Sequence, residues 1–399
     1  MELARTSHPG PDCIRLRPIP LRQHLEERIA GMHPAYFALV MATGIVAIGA
    51  HLLGLGELAW LLGRINWVAY PLLWLLMLAR LAWFPGRVWA DCASHQRAPG
   101  FFTIVAATSV FGVQVKLLHG NPSLAIGLWW LTLVLWATAN YGIFTLLITR
   151  DTKPTLAAGI HGGWLVAIVA AQSVVVLGCI TGVDMLGSRD ITLFALLCFW
   201  LCGGILYLWI ISLIFYRYLF FTFSPTDLMP PYWINMGAVA ISTLAGALIA
   251  LAAEGSPLLE PLLPFIKGGA IMYWATATWW IPMLLLLGVW RHLVKGFPIA
   301  YDPLYWGLVF PLGMYAVCTL RLQQVLDAPF LLPIAKVFIV AAAMAWLVTF
   351  LGLVRRLLFG CALACYHLRS VRVPAPAHSP LTNKEELDPN EYCPCPNRS

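Results

Sequence analysis

The sequence predicts an all-α membrane protein that crosses the bilayer ten times, and its composition and apolar runs support this. Of its 399 residues, 60% are hydrophobic and only 11% are charged, whereas a soluble domain is nearer to a quarter charged. The apolar residues form long runs, and about 20 helical residues cross a bilayer core. The 18 tryptophans also favour a membrane protein, since tryptophan prefers the interfaces. Too little polar sequence remains to cover a soluble core.

The chain divides into two tails and a ten-span domain. Residues 1–33 are polar and basic, and no cleavable signal peptide precedes the first apolar run. Residues 354–399 are rich in Pro, Asn, Ser and acidic residues, which predicts disorder. Residues 34–353 contain the predicted spans, which are 34–54, 65–84, 101–119, 124–148, 156–180, 191–215, 232–253, 265–290, 304–326 and 331–353.

The placement of basic residues predicts the orientation. Eighteen Lys and Arg residues lie in the two tails and in the links after even-numbered spans, against two in the links after odd-numbered spans. Cytoplasmic segments carry the excess of Lys and Arg. Both termini are therefore predicted to be cytoplasmic, in agreement with the even number of spans, and the protein is predicted to lie in the cell membrane.

A proline followed closely by aromatic residues opens four odd-numbered spans. Proline suits the first turn of a helix, where its missing N–H has no partner to lose. In the fifth predicted span only Pro154 of this pattern remains. One copy is uninformative, but four copies of the same parity indicate a helical hairpin repeated five times. The copies are Pro34-Ala35-Tyr36-Phe37, Pro99-Gly100-Phe101-Phe102, Pro230-Pro231-Tyr232-Trp233 and Pro303-Leu304-Tyr305-Trp306.

Odd and even spans differ in composition. Thirteen of the tryptophans fall on even spans, whereas odd spans are rich in small residues and hydroxyls. Small residues let helix backbones approach closely and hydroxyls bond across helices, so one interpretation is a tightly packed inner ring. The interpretation we favour is that this ring also surrounds a conduit. The candidate lining residues are Thr43, Gly44, Thr108, Ser109, His161, Ser242, Thr243, Gly307, Pro311 and Gly313.

The charges inside the spans predict the sign of the permeant. None of the 18 acidic residues lies in the middle of a span, although cation pathways and proton relays commonly place Asp or Glu there. Arg80 is expected to extend to the cytoplasmic boundary. Each remaining basic residue can do the same at the outer boundary; together they predict a positive vestibule that attracts anions. The candidate vestibule residues are Lys116, Lys267, Arg321 and Lys336.

Several classes of chemistry have no support in the sequence. The ten cysteines show no disulfide framework, and Cys393-Pro394-Cys395 is too short for a zinc site. No HExxH motif, paired carboxylates or Ser/His/Asp grouping occurs inside the membrane, and a lone histidine such as His161 is more often a packing residue than a ligand. We therefore predict that the protein is not an enzyme and has no catalytic residue, metal, cofactor or nucleic-acid partner.

A proline inside the ninth span draws attention to the residue before it. Pro311 removes one backbone hydrogen bond and bends a helix. Phe310 precedes it, between Gly307 and Gly313. A bulky ring beside small neighbours either plugs a narrow conduit or packs the core, and the residues alone leave both interpretations open.

The chain resembles the tellurite-resistance/dicarboxylate transporter family, which includes plant slow anion channels, malate permeases and sulfite exporters. The resemblance covers residues 30–355 and rests on the ten spans, their openings, Met41-Ala42-Thr43-Gly44-Ile45, and Trp306 followed by Phe310-Pro311. It implies a homotrimer with one pore per subunit. It also implies five hairpins in a quasi-five-fold arrangement, with odd helices inside, and Phe310 as the pore gate. Residues 354–399 match no family motif.

Three functions follow as hypotheses. The first is a gated pathway for small inorganic or organic anions. The second is a carrier for malate-like C4-dicarboxylates or for sulfite, with or without proton coupling. The third, a membrane enzyme or a metalloid (tellurite) resistance protein that uses thiols, is weakened by cysteines without ligand spacing.

Overall fold

Ten helices of the structure are long and apolar enough to cross a membrane. This computed structural model describes the backbone of residues 21–182 and 184–370 and the side chains of residues 26–182 and 184–358, and these residues contain no strand. Residues 20–357 form one compact unit, which carries the spans. Of a second unit, only the helical residues 358–370 are described. Most of the two predicted tails, with Cys393 and Cys395, thus lies outside the described residues.

The spans are numbered here in chain order. They are Pro34–Leu52 (span 1), Gly56–Trp83 (span 2), Ala98–His119 (span 3), Pro122–Ile148 (span 4), Gly162–Thr181 (span 5), Arg189–Phe220 (span 6), Pro230–Ala252 (span 7), Glu260–Val294 (span 8), Pro303–Leu326 (span 9) and Pro329–Leu358 (span 10). Two shorter helices, Leu21–Gly31 and Pro85–Cys92, precede spans 1 and 3.

The odd spans are buried and the even spans are not. Between 67% and 94% of each odd span's most apolar segment is buried, against 17% to 39% for the even spans. Bulky side chains on the even spans, such as Trp209 and Val340, are exposed. In a bilayer such side chains face lipid without penalty, whereas the small residues of the odd spans permit close helix packing. The difference in composition between the two classes therefore corresponds to a difference in position.

Contacts between helices connect the odd spans in a closed circuit. Span 1 packs on span 3, span 3 on span 5, span 5 on span 7 and span 7 on span 9, and span 9 packs on span 1. Spans 2, 4, 6 and 8 each pack on the odd span that precedes them. Span 10 contacts span 1, where Trp346 Nε1 donates to Thr43 Oγ1 at 2.9 Å.

Each odd span begins with a short 3₁₀ turn, which we call its opening turn. The five opening turns also contact one another in sequence around a closed circuit, and the last contacts the first. We call this the proximal end of the bundle and the opposite end the distal end. The turns are Pro34–Phe37, Ala98–Phe101, Gly162–Leu165, Pro230–Trp233 and Pro303–Tyr305.

The predicted start of span 5 at residue 156 is wrong. Leu156–Gly159 is a separate short helix, and His161 is extended, with φ −157° and ψ 168°. Span 5 starts at Gly162, which takes the place of the opening proline. A Cβ at Gly162 would lie 2.7 Å from the Pro231 carbonyl oxygen, so only glycine fits this contact between neighbouring turns. The sequence pattern missed the fifth copy because glycine replaces its proline.

Arginines hold the proximal ends of the even spans. Four of these spans end at or near an arginine that donates to a backbone carbonyl just before the opening turn of its odd partner. This bond repeats in the first four hairpins and satisfies carbonyls that regular helix bonding leaves free. The pairs are Arg80 to Ala30 (3.1 Å), Arg150 to Ala93, Arg217 to Ile160 (3.3 Å) and Arg291 to Leu228.

Arg80 is therefore not at the boundary in contact with water, as the sequence had suggested. Its side chain is 1% exposed, and Nη2 lies 2.6 Å from Oδ2 of Asp91. Arg97 Nε lies 2.7 Å from the other carboxylate oxygen. Asp91 comes from the short helix Pro85–Cys92, and its charge compensates for the loss of water around Arg80.

Candidate functional site

A narrow cavity lies between the odd spans, and all five contribute to its wall. Its lining residues recur every three or four positions, so each helix presents one face. All of them lie at or beyond the middle of their spans, which places the cavity towards the distal end. They are Ile45, Ile48, Leu52, Ser109, Val110, Val113, Leu117, Ser173, Val176, Ile180, Ile241, Leu244, Leu248, Met314, Val317 and Arg321.

The wall is mainly aliphatic, with two hydroxyl groups. Ser109 Oγ donates to the Ser173 carbonyl at 2.7 Å, and Ser173 Oγ donates to the Val169 carbonyl at 2.7 Å. Both protons are thus engaged with backbone oxygens. The cavity therefore offers a permeating ion few free donors, and its electrostatics depend on the charged residue in its wall.

That charged residue is Arg321. Its Nη1 donates to Gln324 Oε1 at 2.8 Å, and no ion pair with a described carboxylate occurs. An arginine without a paired carboxylate raises the potential of an apolar cavity, where the field is screened less than in water. Arg321 was predicted as a vestibule residue, and the structure places it on the cavity wall.

The other predicted vestibule residues lie elsewhere. Lys116 and Lys267 are half-buried and Lys336 is exposed, and none of the three lines the cavity. Lys267 and Lys336 belong to even spans, which lie outside the circuit of odd spans. The structure thus brings one of the four predicted cations to the cavity.

Phe310 lies one helical turn before Met314, on the face of span 9 that lines the cavity. The residues Phe310, Met314, Val317 and Arg321 follow one another at intervals of three or four, so they share this face. The Phe310 side chain is 1% exposed, and the cavity wall includes Met314 but not Phe310. Phe310 therefore lies on the proximal side of the cavity, within closely packed protein.

Most of the other predicted lining residues lie at contacts between helices. Thr108 Oγ1 accepts from Tyr70 Oη at 3.0 Å, and Thr43 accepts from Trp346 as described above. A Cβ at Gly44 would clash with Val110 at 2.3 Å. Ser109 is the one predicted lining residue on the cavity wall. The predicted lining residues that do not line the cavity are Thr43, Gly44, Thr108, His161, Ser242, Thr243, Gly307, Pro311 and Gly313.

His161 has a structural position at the proximal end. Its Nδ1 accepts from the Gly163 N–H at 3.1 Å, and its Nε2 lies 3.2 Å from the His95 carbonyl oxygen. Because a carbonyl only accepts, Nε2 carries the proton. His161 thus caps the opening turn of span 5 and bonds to the link before span 3.

The aliphatic lining residues and Ser173 were not among the lining residues predicted from the sequence. A signal for them exists, since Ile241, Leu244 and Leu248 follow one another at helical spacing on a span rich in alanine and glycine. The same spacing occurs at Ile45, Ile48 and Leu52. Large aliphatic residues among small ones, rather than polar residues, mark the cavity face.

The part of the chain that the structure describes contains no group of three or more His, Cys, Asp or Glu side chains able to hold a metal ion. The cysteines described there, Cys92, Cys179, Cys198, Cys202 and Cys318, are free thiols. The site therefore consists of an apolar cavity, one cation and a buried aromatic ring.

Comparison with known proteins finds relatives among membrane transporters. An uncharacterized membrane protein of Mycobacterium tuberculosis is 36% identical over 152 residues, which are 38% of this chain and 77% of the relative. An uncharacterized transporter of Methanocaldococcus jannaschii is 22% identical over 304 residues, 74% of this chain and 86% of the relative. The sulfite efflux pump SSU1 of Arthroderma benhamiae is 23% identical over 346 residues, 81% of this chain and 90% of the relative.

Residues 31–354 match the family described as SLAC1, voltage-dependent anion channel. This match confirms the resemblance to the family of slow anion channels and tellurite-resistance/dicarboxylate transporters. It covers all ten spans except the last residues of span 10. The relatives that have a named activity are transporters or efflux pumps, not enzymes. The chain is a membrane transporter that belongs to the SLAC1 family.

Proposed function

We propose that the protein moves small monovalent anions across the cell membrane through a conduit between the five odd spans. The observation that carries this proposal is the cavity to which every odd span contributes and whose wall holds Arg321. The guanidinium attracts anions and repels cations. The absence of acidic residues from the middle of the spans also favours a negatively charged substrate. The closed circuit of contacts supports a quasi-five-fold arrangement of hairpins around this conduit.

The apolar wall favours singly charged ions. Moving an ion from water into a site with few donors is costly, and the cost rises steeply with its charge. One arginine offsets part of that cost for one negative charge. A dicarboxylate dianion would need a second cation, and none lines the cavity among the described residues. We therefore rank a monovalent anion above malate as the substrate.

Phe310 is the proposed gate. The ring lies one helical turn before Met314, on the proximal side of the cavity. There it would block the route from the cavity to the proximal end. Replacement by alanine removes the ring and opens that route, so we expect Phe310→Ala to raise anion conductance at least tenfold in planar bilayers. Phe310→Leu, which keeps most of the volume, serves as the matched control and should conduct little more than the parent.

The comparison must use folded protein, because replacing a buried Phe by Ala costs about 3–5 kcal/mol. Size-exclusion profiles and thermal melting identify variants that remain intact. An intact alanine variant with the parent's conductance would exclude Phe310 as the gate.

The second candidate is a sulfite carrier, favoured by the sulfite efflux pumps among the relatives. Channel and carrier differ in their response to a pH gradient. We expect sulfite flux into proteoliposomes to follow the membrane potential for a channel and to follow the pH gradient for a proton-coupled carrier. Malate uptake in the same vesicles tests the dicarboxylate alternative, and protection of cells from tellurite tests the resistance alternative.

We also propose a homotrimer with one conduit per subunit and both termini in the cytoplasm. The exposed apolar side chains of the even spans supply surface for both lipid and neighbouring subunits. The basic residues at the proximal end support the orientation, since cytoplasmic segments carry the excess of Lys and Arg. The proximal end would then face the cytoplasm and the cavity the exterior.

A further inference from the structure

A second cavity lies at the proximal end. It is bounded by the opening turns of spans 7 and 9 and by the end of span 8, and it shares no lining residue with the central cavity. Its wall includes Tyr232, Trp233, Gly288, Arg291, His292 and Tyr305. No acidic side chain lines it. We call it the proximal pocket.

The helix changes form where it meets this pocket. Span 8 is α-helical from Leu263 to Val289 and continues as a π-helix from Trp290 to Val294. A π turn is wider than an α turn, so consecutive side chains diverge less around the axis. Arg291 and His292, which follow one another, therefore both reach the pocket. Such single π turns are rare and are frequently found at functional sites.

Arg291 has bonding capacity left for a ligand. Its Nη1 donates to the Leu228 carbonyl, and its guanidinium carbon lies 4.3 Å from the Phe297 ring centroid. Its Nε is buried without a hydrogen-bond partner. Among the described residues it forms no ion pair.

Two of the three equivalent arginines differ in this respect; the third, Arg150, is exposed and forms no ion pair among the described residues. Arg80 and Arg217 donate to the same kind of carbonyl, but each also pairs with a carboxylate, Asp91 at 2.6 Å and Asp227 at 3.1 Å. Arg291 instead lines the proximal pocket, whose wall holds no acidic side chain. A bound anion there would supply the negative charge that Asp91 and Asp227 supply to Arg80 and Arg217.

His292 supplies a second group. Its Nδ1 lies 2.8 Å from the Phe297 carbonyl oxygen. Since a carbonyl only accepts, Nδ1 carries a proton, and Nε2 is left for another partner.

We propose that the proximal pocket binds a phosphate group, held by the Arg291 guanidinium, with His292 beside it. Guanidinium groups match the oxygens of phosphate with paired hydrogen bonds. The aromatic and aliphatic wall suits the carbon chain attached to a phosphodiester. Val289, Leu293 and Val294, which are 47%, 78% and 68% exposed, flank these residues on span 8 and form an exposed apolar surface. The phosphate therefore comes either from an anionic phospholipid or from a free phosphate in solution.

Native mass spectrometry of the purified protein tests this proposal. The probes are phosphatidylglycerol, phosphatidylcholine and inorganic phosphate. We expect retention of phosphatidylglycerol, at one molecule per chain, to fall roughly tenfold or more in Arg291→Gln, which keeps a donor near Leu228. Gly288→Leu should have the same effect, because a Cβ at Gly288 meets nothing within 4 Å and a leucine there fills the pocket.

Two controls make the result specific. A Cβ at Gly142, on the exposed face of span 4, also meets nothing within 4 Å, so Gly142→Leu adds the same side chain away from the pocket. Arg321→Gln removes the central cation, so retained binding in this variant separates the pocket from the proposed conduit. Both controls should bind as the parent does.

The outcomes distinguish the two sources of the phosphate group, a phospholipid and free phosphate. Loss of phosphatidylglycerol in the two pocket variants alone supports a lipid headgroup, and the same pattern with inorganic phosphate supports a soluble ligand. Binding that is absent in the parent, or equal in the parent and Gly288→Leu, overturns the proposal.

Discussion

The charged residues of the spans have different roles that their sequence positions do not reveal. Arg80 and Asp91 form a buried ion pair that the half-buried Arg97 joins, whereas Arg321 lines the cavity without a described carboxylate partner. A buried cation paired by protein carboxylate has its field compensated locally, and an unpaired one acts on mobile ions. The partner, and not the residue type, therefore distinguishes Arg321 from Arg80, and this difference underlies the proposed role of Arg321 in transport.

Arg321 should set the anion selectivity. Even with the full screening of water, one unit charge attracts an anion at about 4 Å by about 1 kcal/mol, so we expect Arg321→Gln to lower anion conductance at least roughly fivefold. The reversal potential in asymmetric salt should shift towards the cation value. The matched control is Lys336→Gln, since Lys336 is exposed on span 10. Equal effects of the two substitutions would contradict this assignment.

His33 should make stability depend on pH. Its Nδ1 accepts from the Ala35 N–H at 3.0 Å at the opening turn of span 1. Burial, and then the positive charge of Arg97, lower the pKa of His33 from 6.5 to about 4; Arg80 acts in the same direction and Asp91 and Asp302 oppose it. Between these pH values the unfolded state binds more protons, so the free energy of unfolding falls as pH decreases from 6.5 to 4.

Thermal melting across this pH range checks the prediction. His33→Asn keeps a side-chain acceptor but cannot titrate, so its melting temperature should fall less steeply below pH 6.5. Identical slopes for the variant and the parent would assign the pH dependence to other groups.

At the scale of elements, the opening turns explain the repeated proline and aromatic residues. Four of the five turns were predictable because proline at the first turn of a helix is a local preference. The fifth depends on the distance between Gly162 and Pro231, residues far apart in sequence. The π-helix at Trp290–Val294 was equally unpredictable, since no local residue pattern marks it.

Gly162 should therefore not tolerate a side chain. A Cβ there meets the backbone of the neighbouring turn, at 2.7 Å from both the Pro231 carbonyl oxygen and the Tyr232 Cα. Because backbone must move to make room, we expect Gly162→Ala to lower stability by about 1–3 kcal/mol. Gly142→Ala, at an open helical position, should raise it by up to about 1 kcal/mol. Chemical or thermal unfolding in detergent compares them, and an unaffected Gly162→Ala would show that the turns are not closely packed.

At the scale of the whole molecule, the odd and even spans occupy different environments. Odd spans bury nearly every face, whereas even spans expose bulky apolar side chains. Composition predicted this division, because lipid accepts large apolar residues and close helix contacts require small ones. The positive charges concentrate at the proximal end through both the links and the arginines of the even spans.

The sequence by itself determined that this chain is a ten-span membrane protein and that its odd and even spans differ. It also determined the resemblance to the transport family that the SLAC1 match confirms. Only the tertiary structure decided that Ser109 and Arg321 line the cavity while Thr43, Gly44 and Lys336 do not. The physical reason is that a helix surrounded by lipid and by other apolar helices has no need for one polar and one apolar face. Its inward face is defined by the neighbours it packs against, and these come from distant parts of the chain.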